Sequence, residues 1–298
     1  MIKLVTHDGS FHTDDIFAAA TLSIMLESKG EVFEIIRTRD EEIIKNGDYI
    51  FDIGGIYDAD KNRFDHHQVG GAGKRSGEGE IEYASIGLVW KKFSAELCGG
   101  TKAADLIDRK LIAPIDAWDN GMNLVTNNYK EVSPYFLQHV FFTMEPTWRE
   151  EDLNINDMFL KSVAIAKEVL LREIIQAKDA ILAEEAVLEI YKNTKDKEII
   201  ILDKNYPCQY VLNEFSEPLF IVYPRKTNGW WGAKAVRNDP KSFKNRKDFP
   251  TAWGGVREEE LQKITGVSDA VFCHKGLYMV VSKTKEGAIK LAQIALES

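Results

Sequence analysis

Residues 2–15 read IKLVTHDGSFHTDD, an apolar run that passes directly into a polar segment with two histidines and three aspartates. The apolar residues Ile2–Thr6 have the length and composition of a short β-strand. Residues 14–29 then repeat apolar side chains at helical spacing behind an acidic first turn. A strand that leads through a polar turn into a helix predicts the start of an α/β domain.

Further strands follow at 32–37, at 49–53 (YIFDI) and up to residue 65, and 84–97 is an amphipathic helix. A long helix without Pro or Gly is predicted over 156–192, with apolar residues from Phe159 to Ile181 at helical spacing. Strands are predicted at 198–203, 210–215, 219–224 and 270–282, with a last helix over 285–296. The predicted fold is α/β: a parallel-sheet N-terminal domain (1–155), a connecting helix (156–192) and a smaller α+β domain (193–298).

The composition excludes several classes of protein. With 298 residues, 44% of them hydrophobic, the chain can build a large core, so it is not predominantly disordered. No window approaches the roughly 18 apolar residues of a membrane span. The N-terminal residues read as a strand, not as a secretion signal, and three distant cysteines form no disulfide framework or zinc motif. We therefore expect a cytoplasmic protein without a membrane partner.

The formal net charge of −9 is unevenly distributed. Residues 1–224 carry a net charge of −15, whereas 225–298 carry +6, with eight Lys and Arg against one Asp over 225–247. Binding to long duplex DNA is not expected of an acidic chain, because neutralising phosphates requires clustered basic residues. The basic end could still attract a smaller anion.

A glycine-rich segment, VGGAGKRSGEG, occupies 69–79. It fails the phosphate-binding P-loop pattern, because Gly73-Lys74 is followed by Arg75 and no strand leads directly into it. We predict a mobile lid or a plain loop rather than a nucleotide-binding loop.

Histidines and aspartates cluster where the predicted strands end. His7, His12 and Asp14 follow the first strand, Asp52 ends the YIFD strand, and Asp65-His66-His67 ends the next. Because the carboxyl ends of parallel strands meet at one edge, these side chains are predicted to converge. Mixed carboxylate and imidazole ligands suit Mn²⁺, Fe²⁺, Co²⁺ or Zn²⁺, and carboxylates also suit Mg²⁺; paired ions serve phosphoester hydrolysis. Taken singly, each residue has an ordinary alternative role as a structural histidine, a helix cap or a turn residue.

Several strings together resemble the successive motifs of the DHH phosphoesterase superfamily: HDGSFHTDD (7–15), DIGG (52–55), DHHQ (65–68) and IDAWDNG (115–121). With EPTW (145–148), WGGVR (253–257) and VFCH (271–274), nearly the whole chain resembles the Myg-one family within that superfamily. The resemblance implies a DHH-type catalytic domain with two divalent metal ions, commonly Mn²⁺, and a smaller substrate-binding domain.

The resemblance also implies roles for individual residues. One metal would be held by His7, His12 and Asp52, and the other by Asp14, Asp52, His66 and Asp116. Asp65 would orient a histidine ligand, and His67 would face the scissile phosphate as a hydrogen-bond donor or general acid. The chain departs from the superfamily in having His12 where an aspartate is usual, and in lacking the Gly-Gly-Gly-His string of the second domain.

The basic segment contains aromatic residues that suit a single-stranded nucleic acid. Arg225 and Lys226 precede Trp230-Trp231, and Trp253, Arg257 and His274 complete the predicted substrate-binding set. The alternative is a solvated surface loop with its tryptophans in the core.

The resemblance implies 3′–5′ exonuclease activity on short or single-stranded RNA. The alternatives are a phosphohydrolase of dinucleotides, phosphonucleotides or pyrophosphate, and a binding protein that kept the fold without turnover. A homodimer is a default expectation.

Overall fold

The structure is a computed structural model that describes residues 1–77 and 80–298. The first half contains β1 Ile2–Thr6, α1 Thr13–Ser28, β2 Phe33–Arg37, α2 Glu41–Lys45, β3 Tyr49–Phe51, β4 Tyr57–Asp58, β5 Arg63–Phe64, α3 Ser85–Cys98, α4 Thr101–Ile107, α5 Ala113–Asp119 and α6 Leu137–Phe142. The second half contains α7 Ile155–Asn193, β6 Ile199–Ile201, α8 Gln209–Asn213, β7 Phe220–Pro224, β8 Trp231–Ala235, α9 Glu258–Thr265, β9 Ala270–Cys273, β10 Met279–Ser282 and α10 Lys285–Glu297.

The N-terminal sheet has the strand order β2-β1-β3-β5-β4. β1 pairs in parallel with β2 and β3, and β3 pairs in parallel with β5, whereas the two-residue strand β4 is antiparallel. Helix α1 packs against α3 and is buried over residues 13–26, which explains its nearly uninterrupted apolar sequence. The sheet therefore presents the carboxyl ends of β1, β3 and β5 side by side.

The second sheet has the order β6-β7-β8-β10-β9, with only the β6–β7 pair parallel. Helix α10 packs on this sheet, and Leu291, Ala292 and Ala295 on its inner face are fully buried. The two sheets with their helices confirm the predicted α/β class.

A single helix, α7, covers the predicted long helical stretch and runs for 39 residues. By packing, the chain divides into two compact units, Met1–Lys178 and Asp179–Ser298, so the division falls inside this helix. Phe159, Val163 and Leu170 are buried in the first unit, and Val187 and Tyr191 are buried in the second.

Two elements of the second unit differ from the sequence prediction. Residues 210–215, predicted as a strand, lie mainly in helix α8, because Cys208, Val211, Leu212 and Phe215 have the i, i+3, i+4, i+7 spacing of a helix and pack into one cluster. Strand β8 was not predicted, because Lys234 and the flanking basic residues obscure the alternation of apolar and polar residues that marks a strand. Among the described residues, no helix combines the length and apolar character that crossing a membrane requires.

Candidate metal centre

The predicted ligands come together at the carboxyl edge of the N-terminal sheet. His7 directly follows β1, Asp52 directly follows β3, and Asp65 and His66 directly follow β5. Because β1, β3 and β5 are neighbours and parallel, the chain delivers these side chains to one place. His12 and Asp14 arrive from the other side, at the first turn of α1.

Asp52 lies at the centre of this group. Its Oδ2 is 3.1 Å from His7 Nε2, and its Oδ1 is 3.4 Å from His66 Nε2. The hydroxyl of Ser85, at the start of α3, donates a hydrogen bond to the same Oδ1 at 3.2 Å. The backbone of Asp52 is left-handed, with φ of 55°, a conformation that Asp tolerates better than most residues.

Three groups of side chains in the described part of the chain could each hold a metal ion. Their ligand atoms lie within 4.8 Å of one another in the sets His7, His12 and Asp52; Asp52, His66 and His67; and His12, Asp14 and Asp119. Asp52 belongs to two of the sets, and so does His12. The first set matches the residues that the resemblance implies for one metal.

Buried carboxylate oxygens without partners show that this centre fits a cation. Asp14 is fully buried, and neither of its carboxylate oxygens accepts a hydrogen bond from a described residue. Leaving a buried carboxylate unpaired is costly, and a bound cation removes that cost. The adjacent Asp15 has a different role: its Oδ1 accepts a hydrogen bond from the His12 backbone N–H at 3.0 Å, which caps α1.

The structure places Asp116, a predicted metal ligand, outside these groups. Its carboxylate accepts hydrogen bonds from Arg75 Nη1 at 2.5 Å and from the Gly87 backbone N–H at 3.1 Å. Asp119, one turn later on α5, takes the inward position, with Oδ2 at 3.2 Å from His66 Nε2. The sequence offered both aspartates in the string IDAWDNG, but only the pitch of α5 decides which one faces the histidines.

The glycine-rich segment is anchored rather than mobile at its centre. Arg75 Nε and Nη2 bind both carboxylate oxygens of Asp108 at 2.9 and 2.8 Å, and its guanidinium lies 4.5 Å from the Tyr83 ring centroid. Burial opposes the charge on Arg75, but Asp108 and Asp116 outweigh it and raise the pKa of the guanidinium. The end of the segment, Glu78 and Gly79, lies outside the described residues.

Asp65 contacts the second histidine of the DHH string. Its Oδ1 lies 2.7 Å from His67 Nδ1 and accepts the His67 backbone N–H, while its Oδ2 accepts the Gly55 N–H at 2.5 Å. The hydrogen bond to Asp65 raises the pKa of His67. Although its side chain is 61% exposed, His67 is held in one orientation as a proton or hydrogen-bond donor.

The electrostatics of the centre favour added positive charge. Burial alone would lower the pKa of His7, but its contacts with Asp15 and Asp52 outweigh burial and raise the pKa to about 10. The pKa of His66 is raised to about 10 in the same way, by contacts with Asp119 and Asp52. Burial, followed by the charges of neighbouring aspartates, raises the pKa of Asp14 well above its usual value. Without a metal ion, protons bound to these side chains supply the positive charge of the centre, and a bound divalent cation would take their place.

The loop that carries His7 and His12 is fixed from outside. Glu145 Oε1 accepts the Phe11 backbone N–H at 2.8 Å, and Arg37 Nη2 donates to the Gly9 carbonyl at 2.6 Å. The Arg37 guanidinium also lies 4.6 Å from the Phe159 ring centroid. Glu145 opens the EPTW string, so this string supports the ligand loop.

A cavity of about 310 Å³ opens beside the centre. Its lining includes His7, His12, Asp52, Asp65, His67 and Arg39. Arg39 was not predicted from the sequence, although a basic residue just beyond β2 lies at the same sheet edge. Its guanidinium Nε donates to Asp8 Oδ1 at 3.0 Å, and the side chain is 67% exposed.

In the second unit, Trp253 cannot serve as a base-stacking residue. It is 3% exposed and packs with Phe249 in the core under β7, β8 and β10. The prediction that it binds substrate is wrong, because the indole is already covered by the core. The alternative that the tryptophans lie in the core is therefore correct for Trp253.

The other predicted substrate residues remain at the surface. Arg257 is exposed, with its guanidinium 4.5 Å from the Phe272 ring centroid, and the half-buried His274 accepts the Gly276 N–H at its Nδ1. In the described part, neither the Arg225 nor the Lys226 side chain forms a hydrogen bond. By contrast, Arg246 binds the carbonyls of Phe215 and Pro218, so part of the basic segment is structural.

An α/β fold with histidine and aspartate ligand groups at the carboxyl edge of its parallel strands defines a metal-dependent hydrolase of the phosphoesterase type. The family model described as an uncharacterised protein family (UPF0160), under the short name MYG1 exonuclease, matches residues 3–296. The chain belongs to the MYG1 exonuclease family, which confirms the resemblance seen in the sequence motifs.

Individual proteins show the same relationship. The MYG1 exonuclease of Bos taurus is 27% identical, over 99% of this chain and 84% of its own length. The MYG1 protein of Dictyostelium discoideum is 28% identical, over 98% of this chain and 95% of its own length. A solved structure of RecJ from Thermus thermophilus in complex with Mn²⁺ covers 99% of this chain at 11% identity, with a TM-score of 0.28. The matched region is 52% of the RecJ chain, so this chain spans about half of RecJ.

Proposed function

We propose that this chain is a divalent-metal-dependent phosphodiesterase that acts as a 3′–5′ exonuclease on short or single-stranded RNA. The observation that carries the proposal is the position of Asp52, whose carboxylate belongs to two separate ligand groups. A carboxylate shared by two ion sites is the arrangement that two-metal phosphoester hydrolysis requires. Membership of an exonuclease family supports a nuclease over other phosphoesterases.

The residues present fit two ions. His7, His12 and Asp52 would hold one, and Asp52 and His66 would hold the other. We add Asp119 to the second ion because its Oδ2 lies 3.2 Å from His66 Nε2, and Asp14 because it shares a ligand group with Asp119. Mixed imidazole and carboxylate ligands make Mn²⁺ the first candidate, with Mg²⁺, Co²⁺ and Zn²⁺ as alternatives. When bound, the ions acidify a water molecule and neutralise charge on the phosphoester.

The protein's own side chains bind and orient the phosphate. His67, held by Asp65, would donate a hydrogen bond to a phosphate oxygen or a proton to the leaving oxygen. Arg39 reaches the same cavity and would bind a second phosphate oxygen. Neither role requires the side chain to move far, since both already line the cavity.

The rest of the proposal concerns substrate and location. Arg225, Lys226, Arg257 and His274 would bind substrate in the second unit, which gives the first unit the catalytic role. A short single strand suits this limited basic surface better than a long duplex.

The buried cysteines Cys98, Cys208 and Cys273 are free thiols, which agrees with a cytoplasmic location. A homodimer stays a prediction.

The test is a Mn²⁺-dependent assay with 5′-labelled oligoribonucleotides, matched oligodeoxynucleotides, dinucleotides and cyclic dinucleotides. Stepwise shortening from the 3′ end is the expected result. Cleavage restricted to dinucleotides or pyrophosphate would support the small-substrate alternative. Absence of turnover on every phosphoester with every divalent metal would leave the non-catalytic alternative.

The matched variants are Asp52→Asn and Asp105→Asn. Asn tolerates the left-handed backbone at position 52, so the first variant removes charge without a backbone penalty. Asp105 is exposed on α4, away from the ligand groups. Asp52→Asn should abolish turnover while Asp105→Asn retains it, and equal turnover would contradict the shared-ligand role.

A further inference from the structure

A second cavity, of about 150 Å³, adjoins the metal centre. His12, Asp14 and Asp119 line it on the side of the ligand groups, and Trp118, Gln138 and Phe142 line the remainder. His12 borders both cavities, so a ligand in the second cavity would lie directly beside the centre. Neither the family resemblance nor the proposed two-metal chemistry uses Trp118, Gln138 or Phe142.

Aromatic rings face this cavity from a fixed position. Trp118 is 37% exposed and Phe142 is 40% exposed, so both are accessible. The Trp118 ring packs against Phe136 and His139, each with its centroid 5.2 Å away. His139 is itself fixed, because its Nδ1 accepts the Phe136 N–H at 3.0 Å. Trp118 is therefore oriented before any ligand binds.

Gln138 adds a polar group to the lining of this cavity. The residue is 5% exposed and lines the cavity, yet its amide forms no hydrogen bond within the part of the chain that the structure describes. The amide is not sealed in the core, so it remains accessible from the cavity. The amide offers both a donor and an acceptor, which together match the hydrogen-bonding edge of a nucleobase.

We propose that this cavity binds the nucleobase of the nucleotide whose phosphate lies at the metal centre. The base would stack on Trp118 and Phe142 and place its polar edge against the Gln138 amide. With Asp14 and Asp119 holding a cation as proposed above, the phosphate is attracted to the centre, and the uncharged rings of Trp118 and Phe142 are left for a neutral heterocycle. The proposal rests on the proposed function and deepens it: substrates must carry a base, which disfavours pyrophosphate.

The test compares two oligoribonucleotides that differ only at the 3′ end, one with a normal terminal nucleotide and one with an abasic ribose. The variants are Trp118→Ala, Trp118→Phe and Gln138→Leu, with Trp148→Ala as the control. Trp148 is also a tryptophan, is 87% exposed and does not line the cavity.

Trp118→Ala should lower kcat/KM for the base-bearing substrate by about tenfold or more, the scale of losing one stacking contact. The abasic substrate should be cleaved at an unchanged rate, which also shows that the variant is folded. Trp118→Phe should recover most of the loss, and Gln138→Leu should reduce kcat/KM by a smaller factor. Equal losses on both substrates, or no loss on the base-bearing one, would overturn the proposal.

A binding measurement separates this subsite from the catalytic proposal. In the presence of Mn²⁺, wild-type protein should bind uridine monophosphate more tightly than ribose 5-phosphate, and Trp118→Ala should lose that preference. If the preference holds but no phosphoester is cleaved, the proposed function fails and the subsite stands. If RNA is cleaved without any such preference, the subsite fails and the function stands.

Discussion

Arg75 and the fully buried Asp116 form an ion pair, with Nη1 of the arginine 2.5 Å from Oδ2 of the aspartate. Arg75 comes from the glycine-rich segment and Asp116 from α5, the helix that ends at Asp119. The Gly87 N–H, inside α3, donates to the other oxygen of Asp116. One carboxylate therefore ties three separate parts of the chain together and fixes the helix that presents Asp119 to the candidate metal centre.

Replacing Arg75 with Gln should destabilise the protein strongly. The variant leaves Asp116, which is fully buried, and the partly exposed Asp108 without a cation. Removing one partner of a buried ion pair costs about 3–5 kcal/mol, and we expect the free energy of unfolding to fall by that order. Denaturation by urea, followed by circular dichroism, measures it.

Lys74→Gln provides the comparison for that experiment, since it removes the neighbouring cation of the same segment. The Lys74 side chain is 50% exposed and pairs with Glu82 at 3.3 Å. Exposed pairs contribute about 0–1 kcal/mol, so Lys74→Gln should change the free energy of unfolding little. Similar losses in both variants would show that Arg75 has no special structural role.

Gly87→Ala should reverse the usual effect of this substitution. In an ordinary helix interior, alanine is favoured over glycine by about 1 kcal/mol. At position 87, a Cβ atom would lie 1.8 Å from Asp116 Oδ2 and 2.8 Å from Tyr83. We expect a lower melting temperature, measured by calorimetry, and an unchanged or higher value would show that Asp116 is free to move.

Asp119→Asn and Asp116→Asn should have opposite effects. Asp119 faces His66 and belongs to a ligand group, so its variant should lose at least about 100-fold in Mn²⁺-dependent activity while losing less stability than Asp116→Asn. Asp116→Asn weakens a buried charged hydrogen bond, worth about 1.5–3 kcal/mol, and should lower stability more than turnover. The two effects are separated by measuring kcat and thermal unfolding on the same preparations. If Asp116→Asn alone abolished activity, the assignment of Asp116 as a metal ligand would be restored.

Removing the metal should make stability depend on pH in a defined direction. His7 and His66, with pKa values of about 10 against an ordinary value of 6.5, hold protons in the folded chain that the unfolded chain has already released. The stabilisation that these two protonated histidines give the folded chain is complete below pH 6.5 and is lost as pH rises through about 10. Burial also raises the pKa of Asp15 to about 6. This shift likewise makes the folded chain less stable as pH rises, but at lower pH than the two histidines.

In EDTA, the melting temperature should therefore fall between pH 6.5 and pH 10. Saturating Mn²⁺ should reduce this fall, because a bound cation supplies the charge that the protons supplied. Thermal unfolding at several pH values, with EDTA and with Mn²⁺, provides the comparison. A metal-free melting temperature that rises with pH would contradict the proposed electrostatics.

The sequence predicted the first unit well, because its strands are short apolar runs that each end at a polar residue. His7, Asp52 and His66 were placed correctly at one sheet edge, since parallel strands deliver their carboxyl ends together. Asp116 was predicted as a ligand but lies outside the ligand groups, because two aspartates three residues apart on a helix point in directions that only tertiary packing distinguishes. The largely enclosed side chain of Arg75 gave no signal in a segment rich in glycine.

The second unit was harder to predict. Apolar residues of 210–215 suit a strand by composition, and only their packing with Cys208 reveals the helix. Tryptophans in a basic segment fit a nucleic-acid surface and a core equally well, and Trp253 turned out to belong to the core. Trp118 lies within the string IDAWDNG, but only Asp116 of that string was assigned a role, and Gln138 belongs to no recognisable motif. The cavity that both residues line is visible only in three dimensions.

The support of the ligand loop by Glu145 and Arg37 has a consequence for biosynthesis. Phe11 donates its N–H to Glu145 and its ring lies 5.7 Å from that of Phe159, so the loop depends on residues more than 130 positions later in the chain. On the ribosome, His7 and His12 leave the exit tunnel long before their supports have been translated. We expect the nascent chain to acquire its cations only after the start of α7 has emerged, which makes metal loading a late event in the maturation of the first unit.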